Sequence, residues 1–158
     1  MRRVDSTDIR LLRAMMSDPR GTVVALAQKL GLSRNTVQAR MSGLEARGAL
    51  LSFDRRINPE ALGYRLTAFI TVHLHQPNLP EIVEQIAQVP EVLEGYGLSG
   101  SADLLVRVVA ADAEDLFRVN GKVLAVPGVE RTETSLAMGQ LIPFRMEPLL
   151  QMGPRVSD

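Results

Sequence analysis

The sequence has no cysteine and no long hydrophobic run. Without cysteine the chain has no disulfide framework, no thiolate metal ligand and no thiol nucleophile, which suits a reducing compartment. A membrane span would need an uncharged apolar run of roughly 18 residues. The first residues, Met1 to Asp5, are charged and polar where a signal peptide would turn apolar. We therefore expect a protein that stays in the cytoplasm.

The formal net charge of zero conceals an uneven distribution of charge. Residues 1–58 hold 11 Arg and Lys against 5 Asp and Glu, a balance of +6. Residues 59–158 hold 7 against 13, a balance of −6. Such an asymmetry predicts one part that binds a polyanion and a second part with another role.

The basic part is predicted to form three helices. Apolar residues recur there at helical spacing, and residues that favour helix caps precede each segment. The predicted bounds are Asp5 or Ser6 to about Ser17, Thr22 to Gly31, and Ser33 to Gly48. The last two helices, joined by a tight turn, form a helix-turn-helix.

The third helix has one apolar and one polar face. Val37, Met41 and Leu44 predict its buried stripe, so small and amide side chains point outward. Asn and Gln form paired hydrogen bonds with adenine, Ala contacts the thymine methyl group, and flanking arginines are expected to meet phosphates. The predicted DNA-binding residues here are Ser33, Arg34, Asn35, Thr36, Gln38, Ala39, Arg40, Ser42 and Arg47. A merely solvated face would hold more than the single acid Glu45.

Residues 49–57 have strand character beside a polar, basic turn, which predicts a β-hairpin wing. Arg55 and Arg56 would then lie near the sugar-phosphate backbone, with Arg55 as a DNA contact. The predicted winged helix-turn-helix domain spans residues 1–58, and residues 59–65 form a linker.

The acidic part is predicted to be a β-α-β unit repeated once. Residues 86–92 and 123–129 share the pattern apolar-x-x-Val-Pro-x-Val, 37 residues apart, each where a helix passes into a strand. Two such units form a ferredoxin-like βαββαβ domain over residues 66–150, with both helices on one face of the sheet and a tail at 151–158. Phe69 falls on the uncovered face, so we expect a second copy of the chain to cover it.

A loop of small residues between the second and third strands is a candidate ligand site. Gly100, Ser101 and Ala102 would let ligand atoms approach the backbone, and Asp103 would hold an ammonium group. A plain hairpin turn explains the same residues equally well. Thr132 and Thr134 on the last strand have the same double interpretation, because threonine is a good strand former.

The chain resembles the Lrp/AsnC family, the feast/famine regulators, over roughly residues 4 to 150. The motifs that carry the resemblance lie in the first and third helices, at the domain join, in the loop and before the last strand. They are Asp5-x-x-Asp8, Gly31-Leu32-Ser33 with Val37, Arg40-Met41, Leu44-Glu45 and Gly48, Asn58-Pro59, Ser99-Gly100-x-x-Asp103, and Pro127-Gly128-Val129.

The resemblance implies a nucleoid-associated transcriptional regulator with a RAM-type effector domain. It implies dimers that assemble further, often to octamers, DNA bent around them, and no cofactor. An amino-acid effector would bind at Gly100, Asp103, Thr132 and Thr134. The chain departs from the family at Ser101, where an acid is common, and at Leu104, where an aromatic residue is common.

Two other functions compete with a regulator. Some proteins similar to this family are enzymes that decarboxylate modified tetrapyrroles and depend on histidines, and this chain has only His73 and His75. With no cysteine and no third histidine to complete a metal or haem site, we expect no metal site and no enzyme. An architectural DNA-binding protein without an effector is the remaining alternative.

Overall fold

The structure, a computed structural model, describes residues 4–51, 53–75 and 78–153. It divides into two compact units. The first runs up to Arg55 and includes the segment from Ile142 onward, and the second spans Arg56 to Leu141. Among the described residues, none of the helices has both the length and the apolar composition that a membrane span requires.

The first unit contains the three predicted helices, α1 (Ser6–Ser17), α2 (Val23–Leu30) and α3 (Arg34–Ala46). Each begins after a side chain that accepts a hydrogen bond from a backbone N–H of the first turn, and these caps are Asp5, Thr22 and Ser33. Gly31 ends α2 in the left-handed region, with φ of 68°. The apolar faces of the three helices meet in one core, which includes Leu11, Leu26, Val37 and Leu44. The predicted helix-turn-helix is therefore confirmed.

The predicted hairpin wing at residues 49–57 is wrong for the described part of that segment. Phe53–Arg56 forms a 3-10 helix instead, and the residues on either side of it that are described are in no strand. Ala49 and Leu50 pack against the helical core, but Leu51 and Ile57 are 60% and 47% exposed. A two-stranded hairpin whose apolar side chains lack a packing partner is only marginally stable, and Asp has low strand propensity.

The second unit has the predicted order of elements. They are β1 (Leu66–Leu74), α4 (Leu79–Ile86), β2 (Val92–Gly97), β3 (Leu104–Ala110), α5 (Ala113–Leu124) and β4 (Val129–Leu136). The strands form one antiparallel sheet in the order β2-β3-β1-β4. This is the expected ferredoxin-like arrangement.

Strand β1 shows why the sheet has two different faces. Ala68, Ile70 and Val72 are fully buried, and they belong to the core that α4 and α5 cover with residues such as Ile82 and Val119. The alternate residues of β1 point to the other face, where Phe69 is 37% exposed.

The repeated Val-Pro sequence forms the same turn twice. The N–H of Val92 donates to the carbonyl of Val89 at 3.0 Å, and the N–H of Val129 donates to that of Val126 at the same distance. Val89 and Val126 are both 8% exposed, and both belong to the core between the sheet and the helices. The internal repeat seen in the sequence is therefore a repeat of structure.

A sixth helix, α6 (Glu147–Met152), packs against α1. The sequence assigns residues 142–150 to the ferredoxin-like domain, whereas the structure groups the segment from Ile142 with the helix-turn-helix. Most of its apolar side chains are exposed, including Leu149 at 58%, so no helical stripe of buried residues signals this docking.

Candidate functional site

Helix α3 presents a polar face built from small and amide-bearing side chains. Ser33 caps the helix by accepting a hydrogen bond from the N–H of Thr36 at 3.1 Å. Val37 and Leu44 are fully buried on the opposite side, which turns the polar face outward. The predicted DNA-binding residues that the structure leaves exposed on this segment are Ser33, Arg34, Asn35, Thr36, Gln38, Ala39 and Ser42.

This exposed face has the chemistry of a major-groove reader. Asn35 and Gln38 are three positions apart, so they lie on neighbouring turns of one helix face. Their amides match the donor and acceptor pattern of adenine, and Ala39 beside them matches the thymine methyl group. Arg34, in the first turn, is exposed, and its guanidinium group is of the kind that bonds phosphates. Arg55, in the 3-10 helix after α3, is also exposed.

Arg40 and Arg47, which were also predicted to contact phosphates, form ion pairs with acids of helix α1. Nη1 of Arg40 lies 2.7 Å from Oδ2 of Asp5 and 2.7 Å from Oδ1 of Asp8, and Nη2 of Arg47 lies 2.9 Å from Oδ2 of Asp8. The side chains of Arg40 and Arg47 are only 29% and 20% exposed. We call these four residues the α1–α3 charge cluster. It turns both guanidinium groups back toward helix α1, away from the exposed face.

The charge cluster holds the Asp5 carboxyl ionised. The hydrogen bond from Arg40 is the largest of the interactions that keep the pKa of the Asp5 carboxyl below its ordinary value. Asp5 and Asp8 also form a capping box at the start of α1, each side chain bonding the backbone N–H of the other. Sequence reasoning missed the cluster because its ion pairs join residues 32 to 39 positions apart. The one feature of the sequence that indicated the cluster is the Asp5-x-x-Asp8 spacing, which places two acids at the start of α1.

The candidate ligand loop joins β2 to β3, and Asp103 anchors it. The backbone N–H of Asp103 donates to Val72 at 3.0 Å, and its carbonyl accepts from Leu98 at 2.8 Å. Its carboxylate Oδ2 accepts from the N–H of Leu74 at 2.8 Å. The tip residues Gly100 and Ser101 are exposed, while Ala102 is 6% exposed. The loop is thus a hairpin turn tied to the end of strand β1.

The predicted threonines of β4 lie two strands away from this loop. Thr132 pairs with Val72, which pairs with Leu104 directly after the loop, so the three residues form one row across the sheet. Adjacent strands are about 4.8 Å apart, which places the backbones of Leu104 and Thr132 about 10 Å apart. Thr134 lies two residues further along β4, away from the loop, and its hydroxyl group donates to Oδ1 of Asn120 on α5 at 3.0 Å. Of the two threonines, Thr132 is therefore the nearer to the loop.

The uncovered face of the sheet mixes Phe69 with charged pairs. Nη1 of Arg107 lies 3.2 Å from Oε1 of Glu94. His73 lies 3.1 Å from Nη2 of Arg131 and 3.7 Å from Oε1 of Glu133. The described residues contain no group of three or more His, Asp or Glu side chains arranged to hold a metal ion.

Comparison with protein families matches both units. Residues 4–45 match the AsnC-type helix-turn-helix domain, and residues 67–146 match the Lrp/AsnC ligand binding domain. The chain is 38% identical over 119 residues to the HTH-type transcriptional regulator LrpA of Mycobacterium tuberculosis, covering 73% of this chain and 79% of that protein. It is 33% identical over 147 residues to an HTH-type transcriptional regulator of Pyrococcus furiosus, covering 92% and 99%.

Solved structures show the same similarity. A crystal structure of a transcriptional regulator superposes with a TM-score of 0.80 at 30% identity, covering 90% of this chain and 97% of that one. The feast or famine regulatory protein of M. tuberculosis, complexed with L-methionine, superposes with a TM-score of 0.79 at 30% identity and the same coverage. These relatives are named as regulators, which agrees with the expectation that the chain is not an enzyme.

Proposed function

The chain belongs to the Lrp/AsnC family of transcriptional regulators, and on that premise we propose that α3 reads a specific duplex sequence under the control of an amino acid. One observation supports the proposal that α3 binds a specific duplex sequence. Asn35 and Gln38 are exposed on the outer face of α3, while Val37 and Leu44 on its other face are fully buried. Amides on an exposed recognition helix pair with base edges in the major groove.

In the proposed complex α3 lies in the major groove with its first turn toward the bases. Asn35, Gln38 and Ala39 contact base edges, and they determine which sequence is preferred. Arg34, Thr36 and Ser42 bond the phosphate backbone and fix the docking register. Arg55 adds a further phosphate contact, which strengthens binding to every sequence.

A selection from random duplexes, followed by binding titrations of the selected sequence against salt concentration, tests this part. We expect one preferred sequence bound at least about 10³-fold more tightly than random duplex at the same salt. Affinity should fall steeply as salt rises, because bound phosphates release counterions. Equal affinity for the selected and random duplexes would instead identify an architectural DNA-binding protein.

We place the effector at the β2–β3 loop, close to Thr132. The similar M. tuberculosis protein is complexed with L-methionine, which supports an amino acid as the ligand class. Oδ2 of Asp103 already accepts the N–H of Leu74, but none of the described residues donates to Oδ1. That oxygen is able to accept a hydrogen bond from the ammonium group, and we propose that the backbone N–H groups of the exposed residues Gly100 and Ser101 bind the carboxylate. Thr132, the nearer of the two threonines, completes the proposed site with its hydroxyl group. Thr134 is proposed as an outer contact, and its hydroxyl oxygen is able to accept while it donates to Asn120.

A thermal-unfolding screen of the twenty amino acids tests the effector. A ligand that binds only the folded state raises the melting temperature by mass action, by an amount that grows with its concentration. We expect one or a few amino acids to do so and also to change the affinity for the selected duplex. Melting temperatures unaffected by all twenty at millimolar concentration would contradict an amino-acid effector.

We further propose that the open sheet face joins two copies of the chain, and that such dimers assemble further on DNA in the nucleoid. Phe69 at the centre of β1 remains 37% exposed beside Arg107 on β3, and a second sheet would cover this face. In a two-fold arrangement the same patch serves both partners. Sedimentation of a 17.3 kDa species at micromolar concentration would contradict the dimer.

A further inference from the structure

The α1–α3 charge cluster joins the start of the first helix to two points on the recognition helix. Asp8 is 3% exposed and uses both carboxylate oxygens, Oδ1 for Arg40 and Oδ2 for Arg47. Arg40 also bonds both oxygens of Asp5, at 2.8 and 2.7 Å. Asp8 is thus the only residue of the cluster that binds both Arg40, within α3, and Arg47, the residue that caps its C-terminal end.

The two arginines hold α3 at points two helical turns apart. Arg40 and Arg47 are separated by seven residues, or about 10.5 Å of helix. The apolar contacts of Val37 and Leu44 favour burial but are not directional, so they tolerate small rotations of α3. Charge-assisted hydrogen bonds do not tolerate such rotations, because they join defined donor and acceptor atoms. Because Gln38 and Ala39 directly precede Arg40, a rotation at that anchor displaces the side chains proposed to meet the bases.

The cluster also withholds positive charge from the exposed face. Two guanidinium groups on a recognition helix would ordinarily add phosphate contacts and therefore affinity for any sequence. Here two carboxylates neutralise them within the unit. The pairing therefore removes two possible phosphate contacts, which would raise the affinity for every sequence, and leaves the polar side chains of α3 to bind one preferred sequence.

We propose that Asp8 is a positioning residue for sequence recognition, one that orients α3 through Arg40 and Arg47 and keeps both cations from the DNA backbone. The proposal rests on the function proposed above, in which α3 reads the duplex. Removing the carboxylate has two opposite effects on binding. It loosens the orientation that specific binding needs, and it leaves two arginines with one remaining acid, so that a cation becomes available to phosphate.

The test compares Asp8→Asn with wild type in the full chain, using the selected duplex and a random duplex over a salt series. For Asp8→Asn we expect the ratio of specific to random affinity to fall about tenfold, with random affinity unchanged or higher. The slope of log affinity against log salt on random duplex should steepen by about 0.9, the value for one added phosphate contact. Simple destabilisation of the domain would lower both affinities together and would not steepen the slope.

Glu91 offers a matched control. Its side chain is 8% exposed and binds two cations, with Oε1 2.6 Å from Arg118 and Oε2 3.2 Å from Lys122, in the second unit of the chain. Glu91→Gln removes a comparable buried carboxylate, so it should lower the melting temperature while leaving the specificity ratio and the salt slope at wild-type values.

A second variant covers the case in which Asp8→Asn fails to fold. Arg47→Gln removes one anchor of α3 without releasing a cation, so the specificity ratio should fall while the salt slope stays unchanged. A wild-type ratio and slope in folded Asp8→Asn, or a wild-type ratio in Arg47→Gln, would overturn the positioning role. Absence of sequence preference in the wild-type protein would overturn the proposed function instead.

Discussion

Arg13 in helix α1 and Glu147 in helix α6 form an ion pair across 134 positions of the sequence, with Nη2 2.7 Å from Oε1. Glu147 also accepts a hydrogen bond from Gln151 on its own helix at 3.3 Å. The pair is half-exposed, with side-chain exposures of 48% and 38%. The segment after the ligand-binding unit therefore returns to the first helix of the DNA-binding unit through a weak, solvent-accessible contact.

Glu147→Gln is expected to lower the free energy of unfolding by less than about 1 kcal/mol at low salt, because exposed ion pairs contribute little. The loss should shrink at about 0.5 M salt, where the Debye length is only a few ångströms and exposed charges are screened more strongly. Urea unfolding at both salt concentrations measures it. Glu130→Gln, a change at an exposed carboxylate, is the control and should have no effect at either salt. A salt-independent loss would show that Glu147 stabilises the helix by some means other than its charge.

Asp5 makes the stability of the first unit depend on pH at the acid end. The hydrogen bond from Arg40 lowers the pKa of Asp5 in the folded chain, so as the pH falls the unfolded chain takes up the proton first. The stabilisation is complete above the unfolded value of about 3.9 and is lost as the pH falls through the folded value.

Asp5→Asn isolates this contribution, since Asn is an equally good helix cap and only the charge is lost. Wild type should be more stable than the variant at pH 7, and the difference should shrink progressively below about pH 4. Urea unfolding at several pH values measures the difference. A gap of constant size between pH 7 and pH 3 would rule out the ionised carboxyl as its origin.

Gln38 and Arg34 are expected to affect DNA binding in different ways. Gln38→Ala should relax the preference at one or two base positions, costing about 1–3 kcal/mol on the selected duplex and little on random duplex. Arg34→Ala should weaken both duplexes by a similar factor and reduce the salt slope by about 1. Parallel titrations of the two variants distinguish these effects. Equal losses on both duplexes for Gln38→Ala would remove that residue from the base-reading set.

Asp103 is expected to be needed for the effector response but not for the fold. Asp103→Asn keeps an oxygen that accepts the N–H of Leu74, yet it removes the charge proposed to hold the ammonium group. Without amino acids, the melting temperature of the variant should be close to that of wild type. The amino acid that raises the melting temperature of wild type should not raise that of the variant. Unchanged sedimentation would show that its assembly is intact. A full-sized shift in Asp103→Asn would exclude this carboxylate from the site.

Most of the secondary structure could be predicted because local rules specify it. Asp5, Thr22 and Ser33 cap the helices that they were predicted to cap, and alternation along β1 correctly assigned Ile70 to the buried face and Phe69 to the open one. The hairpin wing failed because strand character in a short window does not supply a packing partner for Leu51 or Ile57.

The sequence by itself determined which segments form helices and strands, and which face of α3 is polar, because helical and strand periodicity act within a few residues. Only the tertiary structure decided that Arg40 and Arg47 turn toward Asp8 and that Glu147 reaches Arg13. An arginine on a helix flank has the same local pattern whether it meets a phosphate or a carboxylate. The choice depends on charges brought close by folding from 32 or more positions away, and Coulomb energy depends on that distance in space.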